Sequence, residues 1–255
     1  MTASLSPREI LDSATAKAVT KVGTPLPAML SLGFLGGAFI SVGYLAYIRI
    51  AGALGGELAG LGHFLGAAVF PVGLICILIG GAELITGNMM VVPVGWFRKK
   101  FGLRALARNW LIITLANLVG AFFVAYFFGH VVGLTEGTHL AKTVAAAKSK
   151  VDADFWPAVV SGIGCNWLVC MGVWLAYASH SVGGKVAGIW FPVMVFVLIG
   201  FQHVVANMFI IPAAIWGGGD ISWWAFAHNM VSVWIGNALG GALMVGALYF
   251  IAYRD

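Results

Sequence analysis

Six stretches of the chain are long and apolar enough to cross a bilayer: residues 26–48, 62–96, 109–132, 155–178, 186–216 and 223–253. A spanning helix needs about 20 predominantly apolar residues. The second and fifth runs are too long for one simple crossing, and each holds a polar interruption. Residues 81–93 read G-A-E-L-I-T-G-N-M-M-V-V-P, and residues 200–212 read G-F-Q-H-V-V-A-N-M-F-I-I-P. Superposed, they share Gly81/Gly200, Asn88/Asn207, Met89/Met208 and Pro93/Pro212, with Glu83 opposite Gln202. Asn109, Asn117 and Gly120 recur as Asn229, Asn237 and Gly240 at nearly the same offset. The chain therefore reads as an internal duplication. Each interruption predicts a half-helix, a break and a second half-helix, broken at Thr86, Gly87 and Asn88 in the first copy and at Ala206 and Asn207 in the second. Three spans per copy is an odd number, so the second copy enters the membrane in the opposite sense. Such inverted repeats place a substrate path near the bilayer midplane.

The expected fold is an all-α integral membrane protein of six helices in two inverted three-helix repeats, with the second and fifth helices broken. Its parts are an amphipathic helix within 1–25, a first repeat at 26–132, a connector at 133–154 and a second repeat at 155–255. Ser6, Pro7 and Glu9 form a helix-start signal, with an N-cap, a first-turn proline and an N3 glutamate. Ile10, Leu11, Ala14, Ala18 and Val22 follow as one apolar stripe.

Composition agrees with membrane residence: 61% of residues are hydrophobic and 9% charged, against roughly a quarter charged in soluble domains. Residues 1–25 are too charged for a signal peptide. With the N-terminus in the cytoplasm, ten lysines and arginines fall inside and four outside: Arg49, Lys142, Lys148 and Lys150. The positive-inside bias then places both termini in the cytoplasm and 133–154 outside. The net charge of +5 thus describes topology; the basic cluster from Arg98 to Arg108 hugs the membrane, which argues against a nucleic-acid partner. Cys76, Cys165 and Cys170 lie in apolar runs without metal-ligand spacing. No cofactor or metal is expected, and no G-x-S-x-G, H-E-x-x-H or P-loop pattern supports an enzyme.

Of six histidines, only His203 lies inside an apolar run. An ionisable group at that depth is a functional candidate, and a histidine holds or passes a proton near neutral pH. Glu83 is the one acid within a span; it, Gly87, Asn88, Gln202, Asn117 and Asn237 read as structural groups that satisfy broken backbone. Phe70 and Phe196, with Leu74, Leu84 and Val169, are candidates for an apolar constriction.

The motifs G-A-E-L-I-T-G-N at 81–88, N-W-L-V-C-M-G-V-W at 166–174, F-Q-H-V-V-A-N-M-F at 201–209 and I-G-N-A-L-G-G at 235–241 resemble those of the formate/nitrite transporter family over nearly the whole chain. The resemblance implies an aquaporin-like fold, a homopentamer in the bacterial or archaeal inner membrane, and one pore per subunit for small weak-acid anions. It implies a central His203 bonded to Thr86, flanking Asn207 and Asn166, and an anion-attracting Lys150 on the outer side. It places Phe70 and Phe196 at an outer slit, and Leu74 and Leu84 at an inner one. Gln202 stands where many members carry glutamate, and the F-Q-H form points to formate; nitrite or hydrosulfide is the alternative within the family. Two routes past the apolar slits stay open. Freed N–H groups replace the anion's hydration shell, or the weak acid crosses neutral with a proton from His203 or from water. An aquaporin-like channel for neutral solutes is the rival of a different class; the G-N-M and A-N-M tips, in place of paired N-P-A, argue against it. A structural or sensory membrane protein with a closed pore is the other.

Overall fold

The computed structural model describes residues 4–254. Helix α1 (Pro7–Gly23) precedes α2 (Leu26–Ala53). The second span is α3 (Ala59–Val69), a kink at Phe70 and Pro71, and α4 (Val72–Gly80). The half-helix α5 (Ile85–Phe97) follows, then α6 (Leu103–Phe123), prolonged by a π-helical stretch, Val124–Val131. The second copy runs α7 (Leu140–Val151), α8 (Phe155–Ala178), α9 (Val182–Ile199), α10 (Val204–Trp216), α11 (Trp223–Leu239), a π-helical stretch, Gly240–Ala247, and α12 (Leu248–Tyr253). Among the described residues, six helical segments are long and apolar enough to span a membrane, and α5 and α10 are the shorter apolar partners of two of them.

The breaks lie four or five residues upstream of their expected positions. Gly81 (φ 91°) and Gly200 (φ 85°) end α4 and α9 in the left-handed conformation, which side chains with a Cβ resist. The chain then runs extended through Leu84 (φ −119°, ψ 126°) and His203 (φ −109°, ψ 118°) before α5 and α10 begin. Thr86, Gly87, Asn88, Ala206 and Asn207 therefore sit in the first turns of the half-helices. The polar residues mark where the new helix starts, and the glycine before them marks where the old one stops.

A broken helix at membrane depth exposes backbone that lipid cannot bond. Here one asparagine from a neighbouring helix serves each break. Asn117 Oδ1 accepts from Ile85 N (2.8 Å), and its Nδ2 donates to Gly33 O (2.7 Å) and Glu83 O (2.9 Å). Asn237 Oδ1 accepts from Val204 N (2.9 Å), and its Nδ2 donates to Gly162 O (2.8 Å) and Gln202 O (3.0 Å). The same three bonds are made in both copies. Asn88 and Asn207, expected to do this too, bond side chains instead. Close approach of α2 and α6 allows the reach: a Cβ on Gly37 would collide with the Asn117 carbonyl, and one on Gly36 with that of Glu83.

The half-helices are buried on every side from Ile85 to Gly95 and from Val204 to Ala214. Large apolar side chains such as Leu111, Val119, Phe191 and Val231 face outward from the long helices, as a lipid-facing ring requires. Helix α1 opens with a reciprocal Ser6–Glu9 capping box. It buries Ile10, Leu11, Ala14 and Ala18 against Met90, Val91, Val94 and Trp174. Helix α7, inside the stretch expected only as a connector, packs on α10 as α1 packs on α5. It escapes a search for apolar spans because only Thr143 and Ala147 are buried along it.

Replacing Asn117 or Asn237 by alanine strands three buried backbone groups. At about 1–3 kcal/mol each, either variant should lose roughly 3 kcal/mol and melt about 6 °C or more below the parent in detergent. Tryptophan-fluorescence melting checks this; unchanged midpoints would mean that the breaks are held otherwise.

Candidate functional site

The two breaks meet where α10 begins. His203 is the N-cap of α10, and its Nδ1 accepts from Ala206 N at 3.1 Å. A nitrogen that accepts a backbone N–H carries no proton, so the hydrogen of the neutral ring sits on Nε2. That atom faces Thr86 Oγ1 at 3.0 Å across the repeat interface and donates to it. The ring is 2% exposed and stacks on Phe196, centroids 5.7 Å apart. Thr86 is held in turn: Asn166 Nδ2 donates to its carbonyl (3.1 Å) and to Asn237 O (2.7 Å). Histidine at an N-cap thus does two jobs, finishing a helix and reaching the opposite break.

Three spaces line up through this point. On the α7 side, a cavity of about 400 Å³ is lined by Tyr44, Tyr47, His63, Phe70, Lys142, Lys150, Phe196, His203 and Asn207, among others. At the centre, about 10 Å³ is enclosed by Ile40, Phe70, Leu74, Leu84, Val169, Val193, Phe196 and His203. On the α1 side, about 20 Å³ is lined by Lys21, Leu74, Ile77, Leu84, Gly87, Asn88, Val173 and Tyr177, among others. A single water needs about 10–15 Å³, so the centre and the α1 side are closed to anything larger. Phe70 and Phe196 lie on the boundary between the α7 cavity and the centre, with ring centroids 5.6 Å apart. Leu74 and Leu84 lie on the boundary towards α1. The five residues read from sequence as a constriction all border the central space. Asn166 borders none of the three, and Thr86 touches the path through His203.

Flanking the centre are two matching polar clusters. Asn207 Nδ2 donates to Gln202 Oε1 (2.6 Å) and Asn229 Oδ1 (2.9 Å). Gln202 Nε2 and Asn229 Nδ2 both donate to Lys150 O, which fixes every amide in the cluster. In the first copy, Asn88 Nδ2 donates to Glu83 Oε2 (2.7 Å) and Asn109 Oδ1 (3.0 Å), and Asn109 Nδ2 donates to Lys21 O (3.2 Å). Both amide hydrogens of Asn88 and Asn207 are thereby used, and both Oδ1 atoms are buried without a protein partner. Asn207 borders the α7 cavity and Asn88 the α1-side space, and neither has an amide hydrogen left to offer a solute.

The clusters differ in charge. Lys21 Nζ pairs with Glu83 Oε1 at 2.7 Å. Lys150 Nζ donates to the Gly200 carbonyl at 3.0 Å, and desolvation lowers its pKa from the ordinary lysine value. Lys21 has the same relation to the first break as Lys150 has to the second. Sequence reading missed Lys21, Asn109, Asn229, Tyr44, Tyr47, His63 and Lys142. The Asn109/Asn229 repeat was a visible signal; Lys21 and Lys150 lie outside the duplicated spans, and their pairing appears only once α1 and α7 are folded against the bundle. Among the described residues, no three His, Cys, Asp or Glu stand together as a metal site, and the three cysteines are free.

A family model described as formate/nitrite transporter matches residues 8–251. The chain is 55% identical to a protein of Bacillus subtilis (strain 168) named uncharacterized transporter YrhG, over 97% of this chain and 93% of that one. It is 51% identical to the formate channel BtFdhC of Bacillus thuringiensis, over 97% of this chain and 95% of that one. Among solved structures it is similar to an FNT family ion channel, with a TM-score of 0.88 at 25% identity, covering 96% of this chain and 98% of the other. It is also similar to a pentameric formate channel with formate bound, with a TM-score of 0.79 at 26% identity, covering 90% and 98%. With its broken helices, paired polar clusters and central passage, the chain belongs to the formate/nitrite transporter family.

Proposed function

We propose that this protein is a formate channel, a pentamer of subunits that each carry their own pore, in which formate is collected as an anion and crosses the centre as the neutral acid. Formate as the substrate rests on the 51% identity to a named formate channel, and the pentamer on the likeness to a pentameric formate channel; nitrite and hydrosulfide have no comparable support. The α7 side faces the outside and both termini lie in the cytoplasm of a bacterial or archaeal cell, by the distribution of lysine and arginine.

The observation that carries neutral passage is the state of the path itself. Moving a carboxylate into an apolar medium costs on the order of 20 kcal/mol before relaxation. The central space offers apolar walls and one histidine, whose Nδ1 is bare and whose Nε2–H is engaged. Asn88 and Asn207 border the path with both amide hydrogens committed to protein partners, so neither donates to a carboxylate. Lys150 and Lys142 gather the anion in the α7 cavity. As it leaves water its own proton affinity rises, and it takes its proton from hydronium of the outer solution, which leaves water behind. A proton donated by His203 would have to come from Nε2, breaking the bond to Thr86, or follow protonation of Nδ1, breaking the helix cap. The histidine serves as a neutral polar waypoint.

Initial uptake rates of formate, nitrite, hydrosulfide and glycerol into proteoliposomes test the substrate. Formate should lead, and preference for glycerol would return the fold to the neutral-solute class. His203→Asn tests the proton source, because asparagine still caps Ala206 and reaches towards Thr86. Formate uptake should stay within about fivefold of the parent and still climb steeply as external pH falls from about 7 to about 5, where the neutral fraction of a carboxylic acid grows about tenfold per unit. A flat profile in the variant would make His203 the donor. For topology, a cysteine at Ser149 should react with a membrane-impermeant maleimide in intact cells; modification only after the membrane is opened would reverse the orientation.

A further inference from the structure

The pseudo-symmetry of the two polar clusters is broken at one residue. Each cluster has an asparagine on the half-helix (Asn88, Asn207), an asparagine on the following span (Asn109, Asn229), and a lysine near the end of an amphipathic helix (Lys21, Lys150) whose backbone carbonyl accepts from that second asparagine. At the remaining position the α1-side cluster has Glu83 and the α7-side cluster has Gln202. Glu83 neutralises Lys21. Gln202 accepts from Asn207 and donates to Lys150 O, so it brings no charge to the lysine, and Lys150 Nζ has only a carbonyl as partner.

No carboxylate compensates from elsewhere in the α7 cavity. Among the described residues lining it, the ionisable groups are Lys142, Lys150, Tyr44, Tyr47, His63 and His203. Lys142 lies over the Tyr47 ring, 5.6 Å from its centroid. His63 is hydrogen-bonded to the Tyr47 hydroxyl (2.8 Å) and donates to Leu198 O (3.0 Å). Neither lysine makes an ion pair among the described residues. The α1-side space is bordered by Tyr177 and by Lys21, which is paired with Glu83.

We propose that this single exchange makes the pore electrostatically one-sided: the α7 mouth presents an uncompensated cation to formate and the α1 mouth does not, so that formate half-saturates transport at lower concentration from the α7 side. Gln202 is then a positioning residue for substrate capture, acting through Lys150. The inference rests on the reading of the protein as a formate channel. A passive pore cannot bias equilibrium, so tighter loading at the α7 mouth is matched by a proportionally lower maximal rate from that side. The physiological sense is capture of dilute formate from the α7 face and fast release to it when formate is concentrated on the other.

A single uncompensated charge a few ångströms from the anion, in a partly water-filled mouth, changes its occupancy by about five- to tenfold at low salt. Zero-trans initial rates of labelled formate are measured in vesicles of both orientations, sorted by maleimide reaction of a Glu57→Cys variant, whose exposed position borders neither mouth. At low ionic strength the parent protein should half-saturate at about five- to tenfold lower formate from the α7 side. Raising salt to about 0.3 M shortens the screening length and should shrink the ratio without any mutation. Gln202→Glu, which hands Lys150 the counter-ion that Lys21 already has, should raise the α7-side value and cut the ratio at least about twofold, Lys142 remaining as the second cation of that mouth. A parent ratio near one at low salt overturns the proposal while leaving formate transport intact, as does a ratio that neither salt nor a folded Gln202→Glu variant moves. No formate flux from either face overturns the proposal together with the functional reading beneath it.

Discussion

The structure depends on how backbone broken at membrane depth finds its hydrogen bonds. Lipid supplies none, and each unpaired amide there costs several kcal/mol. Asn117 and Asn237 meet that demand with one side chain per break, each accepting the first freed N–H of a half-helix and donating to two carbonyls. A side chain with one acceptor and two donors in a fixed plane is what the geometry needs, so aspartate and leucine are both excluded. The glycines of α2 follow from it, since the asparagine reaches the break only if the helices touch. The position of His203 follows as well: held at an N-cap by the second break, it meets Thr86 at the start of the first half-helix.

From that arrangement comes a division of labour along the path. Charge sits nearest the two ends of the path, on Lys21, which Glu83 pairs, and on Lys150, which a backbone carbonyl holds. Polar but uncharged groups sit next, with Asn88 and Asn207 bordering the two outer spaces. The centre is apolar apart from a histidine that its neighbours hold neutral. On the function proposed above, a solute that travels this sequence is attracted as an anion and admitted as an acid, which suits the weak acids for which the family is named.

Much of this was legible in the sequence. The repeated asparagines and glycines gave the duplication and, through its odd span count, the inversion. Lone placement in an apolar run singled out His203, and residues 70, 74, 84, 169 and 196 all border the central space. The breaks were read too late in the chain because side-chain chemistry marks the start of α5 and α10, whereas the stop is set by backbone at Gly81 and Gly200, a pair shared by the repeat whose positive φ appears only in the fold. The partners of Asn88 and Asn207 were misread for a related reason: spacing along one helix says nothing about Lys21 and Lys150, which arrive from α1 and α7. Helix α7 itself was hidden by its polar surface.

The claim at the centre of this account is the protonation state of His203. It is read most directly by nitrogen-15 NMR of histidine-labelled protein in lipid, with the His203 signals assigned by their disappearance in His203→Asn. One bare Nδ1 and one Nε2–H are expected from about pH 7.5 to about pH 5.5, the range in which a free histidine would change charge. A ring carrying both protons within that range would contradict it and make the histidine a proton carrier.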